Sequence, residues 1–166
     1  MSATALCSRV SVGIGQIAES DDPDTVLVAY GLGSCVAVAL WLPTARWAAL
    51  AHILLPNSGG APFDPLEPAR YADHGVRELA ERAARRGRLS DLVVKLAGGA
   101  AVLGNSHNQR FKVGDRNAEA IYEELRRLGL TVAAADVGGT QGRTLELYVA
   151  DGRTFVRTAA AAAREL

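Results

Sequence analysis

Two apolar runs, Cys35 to Leu42 and Trp47 to Leu55, stand on either side of Pro43-Thr44, and each is too short for a membrane helix, which needs about 20 residues. Such a pair reads as two strands of a hairpin. Arg9 to Gly13 and Thr25 to Tyr30 precede them as further β-rich runs, and Gly, Pro and Asp clusters divide all four. The first third of the chain is therefore predicted to be a strand meander.

The pattern changes after the Pro56-Asn57-Ser58-Gly59-Gly60 break. Between Glu67 and Arg86, Val76, Leu79, Ala80, Ala83 and Ala84 recur at helical spacing with a charged opposite face, and Gly87 supplies a stop. A second helix is predicted from Asn117 to Leu128, where Ala118, Ile121, Tyr122, Leu125 and Leu128 form one stripe, with Asp115 or Asn117 as cap. Strands are predicted at Leu92 to Ala97, Thr131 to Val137, Leu145 to Val149 and Thr154 to Arg157. Strands at both ends with helices between favour an α+β layered sandwich, its sheets mostly antiparallel or mixed, over a doubly wound fold. At 166 residues, 49% of them hydrophobic, the chain can bury one core, so one domain is expected over residues 1–157. The Ala-rich tail, 158–166, has helical propensity but no apolar stripe; a frayed helix without function is expected there.

Charge and cysteine usage narrow the function. Lys plus Arg and Asp plus Glu number 18 each, which leaves no global field to attract nucleic acid or an anionic membrane. Two cysteines, Cys7 and Cys35, are too few for a disulfide framework, and no secretory leader opens the sequence, so a cytoplasmic protein with reduced thiols is expected. Cys7 reads as a free, nonessential thiol. Gly13-Ile14-Gly15-Gln16-Ile17-Ala18 fits a dinucleotide-binding pattern, but the acidic stretch after it offers no helix start to meet a pyrophosphate, and a simple turn accounts for it. Gly98-Gly99 and Gly138-Gly139 lack the Lys-Ser or Lys-Thr partner of a phosphate loop. His52, His74 and His107 are scattered without metal-ligand spacing, so no metal or organic cofactor is expected; His74 and His107 read as solvated residues.

Gly31-Leu32-Gly33-Ser34-Cys35 places a thiol at a turn between two strands. Taken alone, a cysteine opening an apolar strand is most often core. His52 alters the balance. If the hairpin closes on Pro43-Thr44, pairing Leu42 with Ala45, Cys35 faces His52 directly, at a Cβ separation of about 5 Å. A loop two residues longer keeps both on one face, whereas an odd change separates them. His52 also interrupts an apolar run, where its ring must find a partner. Cys35 is thus a candidate nucleophile and His52 its candidate base, with backbone N–H groups at Gly33, Ser34 and Cys35 as candidate oxyanion donors.

At these residues the sequence resembles the CheD family, through Gly31-Leu32-Gly33-Ser34-Cys35-Val36, Ala51-His52 and Leu55-Pro56. The similarity continues through Tyr71-Ala72-Asp73, Lys95 with Gly98-Gly99-Ala100, Gly114 with Arg116-Asn117, and Gly138-Gly139 with Gly142-Arg143. It implies hydrolysis of glutamine side-chain amides in methyl-accepting chemotaxis receptors, with the family's cysteine at Cys35 and its histidine at His52. It also implies a layered α/β/β fold and, as a partner, a CheC-type phosphatase. Members often carry a threonine six residues before the cysteine as a third catalytic residue; that position here is Ala29. Two alternatives follow: receptor methylester hydrolysis by the same residues, and a non-catalytic adaptor that binds receptors or CheC. A depressed thiol pKa at Cys35 would favour the enzyme, an ordinary or raised one the adaptor.

Overall fold

The computed structural model describes residues 7–102 and 112–166. His107, read from sequence as solvated, lies outside the described residues. Among the described residues, ten strands and two α-helices follow in chain order: β1 (Ser8–Ser11), β2 (Ile17–Ser20), β3 (Thr25–Leu32), β4 (Val36–Leu42), β5 (Trp47–Ile53), α1 (Ala72–Ala84), β6 (Val93–Gly98), α2 (Val113–Arg127), β7 (Val132–Val137), β8 (Arg143–Tyr148), β9 (Thr154–Thr158) and β10 (Ala161–Glu165).

The strands form two mixed sheets of five, one in the order β1-β3-β8-β9-β10 and the other β2-β5-β4-β6-β7. Each contains one parallel pair, β1 with β3 and β6 with β7. Alternation along β4 and β5 explains the layering. Val36, Val38, Leu40 and Leu42, with Trp47, Ala49, Ala51 and Ile53, face α1 and α2 and share one core with Val76, Leu79, Ile121 and Leu125. The intervening residues Ala37, Ala39, Ala48 and Leu50 face the other sheet and meet Leu27, Ala29, Leu145 and Leu147. A strand covered on both faces must be apolar throughout, which is why these two runs lack polar alternation. The result is the α/β/β sandwich expected from sequence.

The β4–β5 hairpin differs from the two-residue turn. Pairing runs Leu42 with Trp47 through Val36 with Ile53, so the loop holds Pro43 to Arg46. Pro43–Ala45 form a single 3-10 turn, and Arg46 closes it in the left-handed region at φ 48°. Ala37 consequently stands opposite His52, and Cys35 sits one diagonal step away. Direct opposition of Cys35 and His52 is thus corrected to a diagonal relation. Their shared face survives because the loop lengthened by an even number.

The helices also depart from their predicted limits. Helix α1 begins at Ala72, since residues 67–70 form a turn closed by Arg70 N–H on Glu67 O, in which Ala69 N–H donates to Gly15 O and Ala69 O accepts from Leu54 N–H. Helix α2 starts at Val113, four residues earlier than predicted, and Asn117 lies fully buried inside it instead of capping it. The tail is a strand, not a frayed helix: β10 pairs antiparallel with β9, Lys95 Nζ donates to the Leu166 carbonyl at 2.8 Å, and Leu166 packs against the inter-sheet core.

Candidate active site

Cys35 and His52 both point between the sheets. Cys35 belongs to the inter-sheet core at 7% exposure, and His52, opposite the core residue Ala37, is 2% exposed. Residues diagonal across an antiparallel pair have Cα atoms about 7 to 8 Å apart, within reach of an imidazole. Burial is the main influence on both. It pushes the Cys35 thiol above its ordinary value of 9.0, opposed by Cys35's own backbone N–H, and it pulls His52 below 6.5, opposed by a bond to the Val12 carbonyl. The resting pair is therefore neutral thiol and neutral imidazole, not a thiolate beside an imidazolium.

The turn that carries Cys35 is held from behind by its carbonyls. Gly33 O accepts from Ala100 N–H at 2.7 Å, and Cys35 O accepts from Gly99 N–H at 2.8 Å. Ser34 O accepts from Asn117 Nδ2 at 3.3 Å, and the same amide donates to Ile53 O at 3.1 Å. One buried side chain thus ties the cysteine turn to the residue after His52. The Gly33 and Ser34 carbonyls share peptide planes with the Ser34 and Cys35 N–H groups, so these bonds fix the orientation of two of the three candidate oxyanion donors. Ser34 lies exposed and Gly33 half-buried, so those planes border solvent, whereas Cys35 is 7% exposed.

The glycine pairs acquire a reason here. At Gly98, φ is +120° and a Cβ would overlap the Cys35 carbonyl oxygen, so only glycine lets β6 pass so close to the cysteine turn. A Cβ at Gly114 would stand 2.5 Å from Gly99 O, so α2 can dock against this loop only without one. The Gly138 region is anchored by Arg143, 6% exposed, whose guanidinium bonds to the Asp136 carboxylate and to the Asp136, Gly138 and Gln141 carbonyls. Gly139 O then accepts from Ala101 N–H at 2.9 Å, which braces the strip behind Cys35.

Asp73 holds the loop after β5, accepting from Ser58 N–H at 3.0 Å and Ser58 Oγ at 2.6 Å. His74, read from sequence as solvated, is half-buried edge-on between Phe63 and Tyr71, with ring centroids 5.8 and 5.7 Å away. Ala29 is buried in the inter-sheet core with no polar group to offer. The motif read as a decoy does form a turn, and strand β2 follows it where a dinucleotide site requires a helix. Cys7 is an exposed free thiol. Among the described residues, no three His, Cys, Asp or Glu side chains converge as a metal site would require.

Arg143 is a structural residue whose role sequence reasoning passed over, and Asn117 one that it read as a helix cap. Both fall at positions that carried the family resemblance, and nothing in local composition signals that an amide and a guanidinium there are buried.

Fold and site together define a layered α+β protein with a free thiol and a neutral imidazole on one buried face. The family described as CheD chemotactic sensory transduction matches residues 54–158, a span that begins just after His52. A protein of Symbiobacterium thermophilum named "Probable chemoreceptor glutamine deamidase CheD" is 41% identical over 161 residues, covering 94% of this chain and 96% of its own. The "Chemoreceptor glutamine deamidase CheD" of Thermotoga maritima is 37% identical over 147 residues, 88% of this chain and 89% of that one. The chain belongs to the CheD family. A remote likeness to the crystal structure of YlmD from Geobacillus stearothermophilus, at 14% identity and TM-score 0.46 over 81% of this chain and 61% of that one, carries no argument about chemistry.

Proposed function

We propose that this protein deamidates glutamine side chains of methyl-accepting chemotaxis receptors, with Cys35 as nucleophile and His52 as general base. The single observation that carries the residue assignment is that a free thiol and an imidazole share one buried face one diagonal step apart. The names borne by the relatives supply the substrate class.

His52 Nε2 takes the Cys35 proton as Sγ bonds to the glutamine Cδ, and the amide oxygen becomes an oxyanion facing N–H groups of the Gly33 to Cys35 turn. The imidazolium returns the proton to the departing nitrogen, the C–N bond breaks and ammonia leaves a thioester. Water, deprotonated by Nε2, attacks that thioester; Sγ departs and recovers a proton, releasing glutamate. No step calls on a cofactor. A CheC-type phosphatase as partner and a cytoplasmic setting belong to the same reading; among the described residues no helix is long and apolar enough to cross a membrane.

One observation favours the non-catalytic adaptor: Cys35 is buried and its pKa is raised, the direction assigned above to an inert thiol. Receptor cytoplasmic fragments incubated with wild type, Cys35→Ala and His52→Ala, then analysed by peptide mass spectrometry, separate the two. Glutamine becoming glutamate with wild type alone is the expected result. Folded wild type that binds cognate receptors and converts none of their glutamines would establish the adaptor. Methanol released from methylated receptor, dependent on Cys35, would identify the methylesterase instead.

A further inference from the structure

The turn between β1 and β2 has no part in the chemistry above, yet it closes around His52 from two directions. His52 Nδ1 lies 3.0 Å from the Val12 carbonyl oxygen. On the main chain, Gly15 N–H donates to the His52 carbonyl at 2.8 Å, and His52 N–H donates to the Gln16 carbonyl at 3.0 Å. The turn is itself secured, since Val12 N–H donates to Val28 O and Ala69 N–H to Gly15 O, each at 2.8 Å, and Gln16 Nε2 reaches Leu66 O at 2.7 Å.

We propose that the Val12 carbonyl is the positioning group for His52, holding the imidazole proton on Nδ1 and leaving Nε2 as the free base; this rests on reading His52 as the base for Cys35. A carbonyl can only accept, so the neutral ring must present N–H at Nδ1. The opposite tautomer would set a lone pair against a carbonyl oxygen in a buried place. Nε2 is buried and has no hydrogen-bond partner among the described residues; in this tautomer it holds no proton of its own, and its lone pair is unoccupied until the thiol closes on it. When that proton arrives, the Nδ1–H bond to Val12 O becomes charge-assisted and stabilises the imidazolium. Ala29 offers no hydroxyl for the task, and with the carbonyl in place none is required. Gly15, at φ +79°, is the residue on which the turn depends, because a side chain there strains the backbone.

The test uses the full chain labelled with 15N-histidine, His52→Ala serving to assign the resonances. A pyrrole-type Nδ1 and a pyridine-type Nε2 at neutral pH are expected for His52; the reverse assignment overturns the proposal whatever the activity. In Gly15→Ala, shown to be folded by circular dichroism, the tautomer preference is expected to weaken and kcat on receptor glutamine to fall about 10- to 100-fold with KM little changed. A folded Gly15→Ala that loses the preference and keeps wild-type kcat also overturns it. Absence of conversion by wild type counts against the deamidase reading, and the tautomer measurement still decides the positioning.

Discussion

At Cys35 and His52, burial favours the uncharged state of each side chain, and this sets the pH range in which the pair can work. With the His52 pKa below 6.5, the imidazole stays unprotonated into mildly acidic solution, so the acid limb of kcat/KM is expected to fall below pH 6.5, not at it. A pH–rate profile on a receptor fragment checks this, and a limb at or above 6.5 would contradict the buried, neutral base. That Cys35 and His52 share a face was legible in sequence from the hairpin formed by the two apolar runs. Their direct opposition was not, because register depends on the conformation of Pro43 to Arg46, where Arg46 adopts a left-handed backbone that its side chain does not advertise. Asn117 was mistaken for a cap because the same residue type serves both purposes.

Among the elements, α2 matters most to the site. Asn117→Ala removes the amide that spans Ser34 O and Ile53 O, leaving the buried Ile53 carbonyl short of a donor and freeing the part-buried Ser34 carbonyl, at a cost of about 1–3 kcal/mol. The expected outcome is a lowered thermal midpoint and a reduced kcat, measured by calorimetry and by glutamate formation. The β10 strand makes a second case. Its Ala161-Ala162-Ala163-Arg164-Glu165 sequence has helical propensity and was expected to fray, but pairing with β9 and the Arg164–Asp136 ion pair at 2.5 Å override that preference. Deleting residues 159–166 is expected to lower the thermal midpoint by several degrees; an unchanged midpoint would show the strand to be dispensable. Strand β2 escaped sequence reading for a related reason, since Ile17-Ala18-Glu19-Ser20 is short, and its partner is β5, far along the chain. Strands β4, β5, β6 and β7 were easier because each carries its own apolar run between glycine or proline breaks.

Across the whole molecule, the same two shifts link folding to pH. The unfolded chain binds a proton on histidine near 6.5, and the folded chain resists it, so stability falls as pH drops below 6.5. The unfolded chain releases the cysteine proton near 9.0 while the folded chain retains it, so stability also falls as pH climbs past 9.0. Between these limits the contribution of the pair is flat. The expected thermal profile has a plateau whose acid shoulder recedes in His52→Gln and whose alkaline shoulder recedes in Cys35→Ser, read by scanning calorimetry. The α/β/β layering that creates this burial was legible through the family resemblance and the order of strands and helices, and the apolar faces of β4 and β5 agree with their place in the middle sheet.

The seclusion of Cys35 also governs how the protein ages under oxidative stress. Peroxide attacks accessible thiolates, and Cys35 is protonated and 7% exposed, whereas Cys7 is an exposed thiol. Sulfenic acid is expected at Cys7 well before Cys35 when the folded protein meets dilute hydrogen peroxide, as mapped by dimedone labelling. The outer cysteine is the one to be lost, and the inner one outlasts it.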